Sequence, residues 1–375
     1  MKAVLLSSTV LSLTLLGDAL LYAVLPVHAA AFGITLPWVG VLLSANRFVR
    51  VFAYGLVARV TASIGLRRAC IGAAVASVVA TSAYGLGNGP VVLLLARMLW
   101  GVAYAAMVLI TLGYAVEERS CAGVRIGWSR AVQRVGPVVA LLAGAWLTGV
   151  LGPRSVFVVL AAVTALALPF AIALPRDRAP VGPSPRVPSL GRPTVLDVLF
   201  FQMGGGVDGV FAVSITLILA QDHSVSVAVL SGGALLALRH LTEAVAAPLF
   251  GKVADRYGAR RVFVAMMLLT AVGFAGIGLG ATVPGALLML SARGALATLG
   301  PALIVEEAGR TDVVMAPLAR LQAWRDLGAA IGPLATGYAL LVVSPQSLHG
   351  LLALLMAGTL ARWAQSRYRR REAAA

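Results

Sequence analysis

Charge is scarce in this chain. Asp, Glu, Lys and Arg make up 12% of its 375 residues, against 60% hydrophobic residues, and mean hydropathy is +0.93. A water-soluble domain carries about 25% charged and about 45–50% apolar residues. Half the usual charge cannot cover a water-facing surface, so soluble enzymes, secreted disulfide scaffolds and disordered proteins are excluded. Cysteine is nearly absent too. Cys70 and Cys121 cannot make a metal site alone, and at the expected cytoplasmic ends of helices they read as reduced, small apolar filler. No phosphate-binding loop is present: Gly251-Lys252 lacks both the preceding Gly and the following hydroxyl. Nor does a nucleophile–base pair or a metal constellation stand out. Neither an enzyme nor a resident cofactor is expected.

What the chain has is long apolar runs. They do not alternate as barrel strands would, and a helix needs about 20 apolar residues to cross a bilayer. Twelve runs are legible, at 4–28, 36–58, 67–87, 90–115, 127–150, 155–174, 195–220, 225–250, 261–281, 284–305, 318–343 and 347–364. The expected fold is an all-α membrane protein of twelve transmembrane helices. Alternate connections carry Arg59, Arg67 and Arg68; Arg119 and Arg125; Arg176 to Arg192; Lys252 to Arg261; Arg310 and Arg320; and the tail Arg367 to Arg371. The other set carries only Arg154. Basic loops stay in the cytoplasm, which places both termini inside and reads the +16 net charge as topology rather than nucleic-acid binding. Met1-Lys2 and Val27-His28-Ala29 imitate a signal peptide, but the first run is too long for one, and Asp18 interrupts it.

Pro175 to Thr194 is rich in proline and arginine and reads as an extended cytoplasmic linker. It divides the chain into a six-helix bundle over 1–174, the linker over 175–194, a second bundle over 195–366 and a basic tail over 367–375. The halves repeat. Arg97 and Arg293 are 196 residues apart, as are Gly136-Pro137 and Gly332-Pro333. Asp18 and Asp208 each sit midway along the first span of their half. Gly65-Leu66-Arg67-Arg68 matches Gly258-Ala259-Arg260-Arg261. Two pseudo-symmetric six-helix bundles are expected.

The stretch Gly251-Lys252-Val253-Ala254-Asp255-Arg256-Tyr257-Gly258-Ala259-Arg260-Arg261 resembles the signature loop of the major facilitator superfamily. The first half keeps a degraded copy, Ala58 to Arg68, with Ala62 and Ser63 where Asp-Arg is expected. Leu93, Arg97, Gly101 and Ala105 resemble the family's fourth-span motif, with Trp100 replacing its usual Gln. Gly136-Pro137 resembles the core of the fifth-span motif associated with antiporters, with most flanking glycines missing. The resemblance implies that Gly251, Asp255, Arg256, Gly258, Arg260 and Arg261 act as a conformational latch, that Gly136, Pro137, Gly332 and Pro333 form a helix-packing motif, and that the third, sixth, ninth and twelfth spans are peripheral. Those four spans are nearly free of charge in this sequence. The interior charges fall in the other eight: Asp18; Arg47 and Arg50; Arg97; Arg130 and Arg134; Asp208; Arg239 and Glu243; Arg293; Arg325 and Asp326. Charges in hydrocarbon are costly and face a bundle interior or a wet cavity.

With no nucleotide-binding domain, transport must be coupled to an ion gradient. A proton needs a carboxylate that can switch between charged and neutral forms. Asp18 is the first candidate, followed by Asp208 and Glu243. The glycines at 204, 205, 206 and 209 are expected to soften the helix around Asp208 and to let backbone approach a substrate. Arg239 and Glu243 are spaced to pair along one helix face. Arg47, Arg97, Arg239 and Arg293, with Tyr22, are the expected substrate contacts, because a guanidinium is a rigid fork of donors suited to carboxylate or phosphate. The basic excess favours anionic or zwitterionic solutes. The expectation is a monomeric proton-coupled secondary transporter in the lipid bilayer that exports a small organic metabolite or drug, with no metal and no nucleic acid. Organic-anion uptake, or a non-transporting receptor of the same fold, is the alternative. Sparse lysine and abundant arginine suggest a GC-rich bacterial genome, and hence an inner (plasma) membrane.

Overall fold

The computed structural model describes residues 1–25, 28–176, 190–222, 225–308 and 314–372. Among them there is no β-strand. The helices are α1 (Lys2–Val24), α2 (Leu36–Ile64), α3 (Leu66–Leu86), α4 (Pro90–Val116), α5 (Ala122–Leu151), α6 (Ser155–Ala165), α7 (Ala167–Ile172), α8 (Val195–Gly205), α9 (Ala212–Asp222), α10 (Val225–Tyr257), α11 (Ala259–Gly278), α12 (Thr282–Ala308), α13 (Met315–Ala339) and α14 (Pro345–Glu372). The expected linker lies mostly outside the described residues.

Two expected runs are interrupted. The sixth breaks between α6 and α7, because Pro169 has no N–H to give the Ala165 carbonyl four residues back. The seventh is α8 and α9 joined by a π-helical turn, Gly206–Phe211, so the glycine-rich stretch does loosen its helix there. The signature stretch is not a loop. Helix α10 runs on through Gly251, Asp255 and Arg256 to Tyr257, and α11 starts at Ala259, leaving Gly258 alone between them at φ +88°. Its counterpart Gly65, at φ +89°, is likewise the single residue between α2 and α3. Only glycine takes that backbone conformation without strain.

Eight spans among the described residues are long and apolar enough to cross a membrane: α1, most of α2, α3, α4, α6 with α7, α8 through α9, α11 and α12. The remaining long helices carry polar groups within their length: Arg125, Arg130 and Arg134 in α5, Arg239 and Glu243 in α10, Arg320, Arg325 and Asp326 in α13, and His349 and Arg362 in α14.

The chain forms two compact units. The first comprises Met1–Arg119, Trp128–Ser189 and Val313–Ala319; the second comprises Ser120–Gly127, Leu190–Asp312 and Arg320–Ala375. Inside each unit, helices meet through small residues, as lipid-embedded helices must when no water drives them together. In the first unit, a Cβ on Gly17 would strike Thr81, one on Gly101 the backbone of Asn46, and one on Gly136 the Ser12 carbonyl. In the second, Gly273 of α11 lies against Gly285 and Met289 of α12. Aromatic rings fill the wider gaps. Phe157 meets Phe32 and Tyr84 edge-on at 6.0 and 5.9 Å, and Phe263 stacks on Phe200 at 6.1 Å. The outward faces of α3 and α14 are apolar, with Val75, Val79, Leu351, Leu354 and Leu355 exposed. Such faces suit lipid rather than water.

Candidate functional site: two charged clusters and a helix cap

The first unit holds a fully buried arginine. Arg97, on α4, ion-pairs with Asp18 of α1, donates its Nε to the Leu42 carbonyl of α2 at 3.0 Å, and donates an Nη to the Tyr22 hydroxyl at 3.3 Å. Its guanidinium also lies over the Tyr22 ring, 5.4 Å from the centroid. Tyr22 in turn donates to the Leu43 carbonyl at 3.0 Å. The α2 partner of Asp18 is Asn46, whose Nδ2 donates to Oδ1 at 3.4 Å. Arg47 is half-buried one residue further along, and Arg50 lies over the Tyr104 ring at 4.5 Å.

The second unit holds the repeat-related cluster. Asp208, on the π turn, ion-pairs with Arg239 of α10, and Arg293 of α12 lies 3.9 Å from the same carboxylate. Arg293 also bonds Glu243 at 3.3 Å. The bonds form a chain of alternating charge, Arg239, Asp208, Arg293, Glu243, that links three spans. Both arginine–aspartate pairs legible as sequence counterparts are pairs in space. The glycines beside Asp208 allow a close approach to another helix. Gly204 and Gly209 lie against the backbone of α13 at Arg325 and Gly332, and a Cβ on Gly328 would overlap the Phe201 carbonyl. The reason is that α13 supplies glycines of its own, so two bare backbones meet.

The helix-packing motif occupies matching places. Gly136 gives its N–H to the Ser12 hydroxyl at 2.8 Å, with α5 continuous through Pro137. Gly332 abuts Gly205 and Gly209, with α13 continuous through Pro333.

The signature residues form a cap. Asp255 lies beyond the apolar stretch of α10. It accepts from the backbone N–H groups of Gly123 (2.9 Å) and Val124 (2.8 Å), the second and third residues of α5. Partial burial raises its carboxyl pKa above the ordinary 3.8, and the two N–H donors oppose that rise. Gly251 and Gly123 touch backbone to backbone. Arg256 lies over the neighbouring Tyr257 ring at 5.5 Å, Arg260 lies over Trp363 at 5.4 Å, and Arg261 follows it on the first turn of α11.

Several further polar residues, whose partners the sequence does not show, are built into this frame. Glu306 caps α11 by accepting from Ala259 N–H at 2.7 Å. Asp197, buried in a capping box with Thr194, binds Arg320 at 2.7 Å. Arg154, the lone basic residue of its loop set, donates to the carbonyls of Gly85, Leu86 and Gly87 at 3.2, 3.0 and 2.8 Å, closing the C-terminus of α3.

A family model, Major Facilitator Superfamily, matches residues 8–204 and again 198–374. The chain belongs to that superfamily, a family of multi-pass membrane transporters. The human organic anion transporter MFSD10 (TETRAN) is similar in structure at a TM-score of 0.76 and 16% identity, over 96% of this chain and 98% of that one. The proton:xylose symporter XylE, bound to 6-bromo-6-deoxy-D-glucose, gives 0.75 at 13% identity, over 96% and 95%. The E. coli fucose:proton symporter FucP gives 0.74 at 12% identity, over 95% and 96%. By sequence, no curated protein matches the chain.

Proposed function

We propose that the protein is a proton-coupled secondary transporter working by alternating access, with twelve spans, both termini in the cytoplasm, and a monomer as the working unit in a bacterial inner membrane. The observation that carries this reading is the Asp18–Arg97 pair: a carboxylate in an apolar helix, held by a fully buried guanidinium. Such a pair is costly to keep in lipid and has no purpose in a passive scaffold. Protonating Asp18 neutralises it and releases its hold on Arg97, a local change that can bias two arrangements of the helices it joins.

The substrate reading rests on where the charges fall. Of the interior charges expected above, the first half carries five arginines (47, 50, 97, 130 and 134) against one carboxylate, Asp18. The second half carries three arginines (239, 293 and 325) against three carboxylates, Asp208, Glu243 and Asp326. The basic excess therefore belongs to the first half, and an anionic or zwitterionic solute is held chiefly there. The likeness to an organic anion transporter reaches the fold only, so it adds no weight to the substrate. Export is supported by Gly136-Pro137, which resembles the antiporter motif.

The test is a panel of carboxylate, zwitterionic amino-acid-like and quaternary ammonium solutes presented to purified protein in liposomes. Movement of the carboxylates or zwitterions is expected. Preference for quaternary ammonium solutes would contradict the substrate reading.

A further inference from the structure

The two clusters are built on the same plan but differ in the residue that α2 and α10 each present to the aspartate. A shift of 193 residues carries Gly65 onto Gly258, and the same shift carries Asn46 onto Arg239. The equivalence holds in space: Asn46 bonds Asp18, and Arg239 bonds Asp208. Asp18 is bonded by the guanidinium of Arg97 and the amide of Asn46, whereas Asp208 is bonded by the guanidinium of Arg239 and has that of Arg293 3.9 Å away.

The difference is chemical. A guanidinium has five donors and no acceptor, so it cannot receive the O–H of a protonated carboxyl. An amide has both. Asn46 is 1% exposed and donates through Nδ2, while its Oδ1 is buried with no hydrogen-bond partner. Once Asp18 is protonated, its new O–H can be received by that oxygen after the amide turns. Arg97 then keeps the Leu42 carbonyl, the Tyr22 hydroxyl and the Tyr22 ring. Protonating Asp208 would instead loosen two guanidiniums at once.

Other titratable and charged groups lie on the elements packed around each carboxylate. On the Asp18 side they are Tyr22 on α1, Tyr84 on α3 beside Arg97, and, along α2 from Asn46, Arg47 and Arg50, the latter over the Tyr104 ring. On the Asp208 side they are His240 and Glu243 on α10, Glu243 being bonded to Arg293 of α12, and His349 of α14, which lies against Phe274, the ring that meets Gly206.

We propose that Asn46 is the positioning residue that makes Asp18, and not Asp208, the carboxylate that takes up and releases the proton, with Asp208 a fixed structural anion. This rests on the proton-coupled reading above.

Infrared difference spectra of the reconstituted protein, taken between mildly alkaline and mildly acidic buffer, test it directly. A neutral carboxyl shows a C=O stretch that a carboxylate lacks. The wild type should gain a component on acidification that is lost in Asp18→Asn and kept in Asp208→Asn. Asn46→Arg, which copies the second-half arrangement, should lose that component too. Arg239→Asn, which copies the first-half arrangement, should gain a second component that disappears when Asp208→Asn is added. If Asn46→Arg does not fold, Arg239→Asn decides. A component kept in Asp18→Asn and lost in Asp208→Asn would overturn the proposal, as would no change in Arg239→Asn. The spectra need no transported solute. Failure to find solute-driven proton movement would therefore count against the transport reading alone.

Discussion

Asp255 caps a helix that begins far from it in the chain: its carboxylate receives the N–H of Gly123, 132 residues earlier, at 2.9 Å, and that of Val124 at 2.8 Å. The acid sits where the partial positive charge of α5 is greatest. The first-half copy of the motif has Ala62 and Ser63 in place of the acid and its arginine, so a cap of this kind belongs to the second-half copy only.

Replacing Asp255 with Ala should therefore cost about 1 kcal/mol, the ordinary value of a helix cap. Under the latch reading, Asp255→Asn should also reduce turnover while leaving solute binding near the wild-type level. Initial rates and binding titrations on the same preparation would check this, and unchanged turnover would count against the latch.

The Asp18–Arg97 pair predicts strong non-additivity. Asp18→Asn leaves a fully buried guanidinium without its counter-ion, and breaking such a pair costs about 3–5 kcal/mol. Arg97→Gln should cost a similar amount. The double variant should lose clearly less than the sum of the two, because neither partner is then stranded. Thermal unfolding of the four proteins in detergent measures the cycle, and simple additivity would mean that the pair carries no coupling.

Much of this site is legible in the sequence because a charge in an apolar run is conspicuous. Asp18, Arg97, Asp208 and Arg293 stand out singly, and their spacing assigns them to matching places in two halves. Asn46 does not stand out, since an amide hardly disturbs a hydropathy profile. The 193-residue shift that pairs Gly65 with Gly258 was the signal that could have found it. The roles of Glu306, Asp197 and Arg154 were not legible for a different reason. Each serves a helix end or a partner distant in sequence, and that relationship exists only after packing. The glycines around Asp208 announce a close backbone approach without saying to what, and the answer lies in Gly328 and Gly332 of another helix.

Glycine substitutions should separate contact from mere composition. A Cβ at Gly136 would overlap the Ser12 carbonyl, so Gly136→Ala must push α1 and α5 apart and should cost about 1–3 kcal/mol. Gly337, on α13, has no atom in the way. Gly337→Ala should be neutral or slightly stabilising, by about 0.4–1 kcal/mol at most. Melting temperatures of the two variants give the comparison, and equal shifts would refute the packing account.

Gly258 should be intolerant for a conformational reason instead. At φ +88° any side chain is strained, and Gly258→Ala should cost about 1–2 kcal/mol although its Cβ would meet nothing closer than Glu306 at 3.9 Å. Gly65→Ala should be strained for the same conformational reason, at φ +89°. Glu306→Ala should weaken the start of α11 by about 1 kcal/mol through loss of the cap on Ala259. Hydrogen exchange at the first turn of α11 would show the cap effect locally.

The central claim is that solute movement and proton movement are one process joined at Asp18. The most direct measurement places purified protein in liposomes loaded with a pH-sensitive dye and adds carboxylate and zwitterionic solutes, with Asp18→Asn alongside. Solute-dependent proton movement is expected in the wild type and none in Asp18→Asn. Equal proton movement in both proteins would contradict it and move the coupling to Asp208 or Glu243.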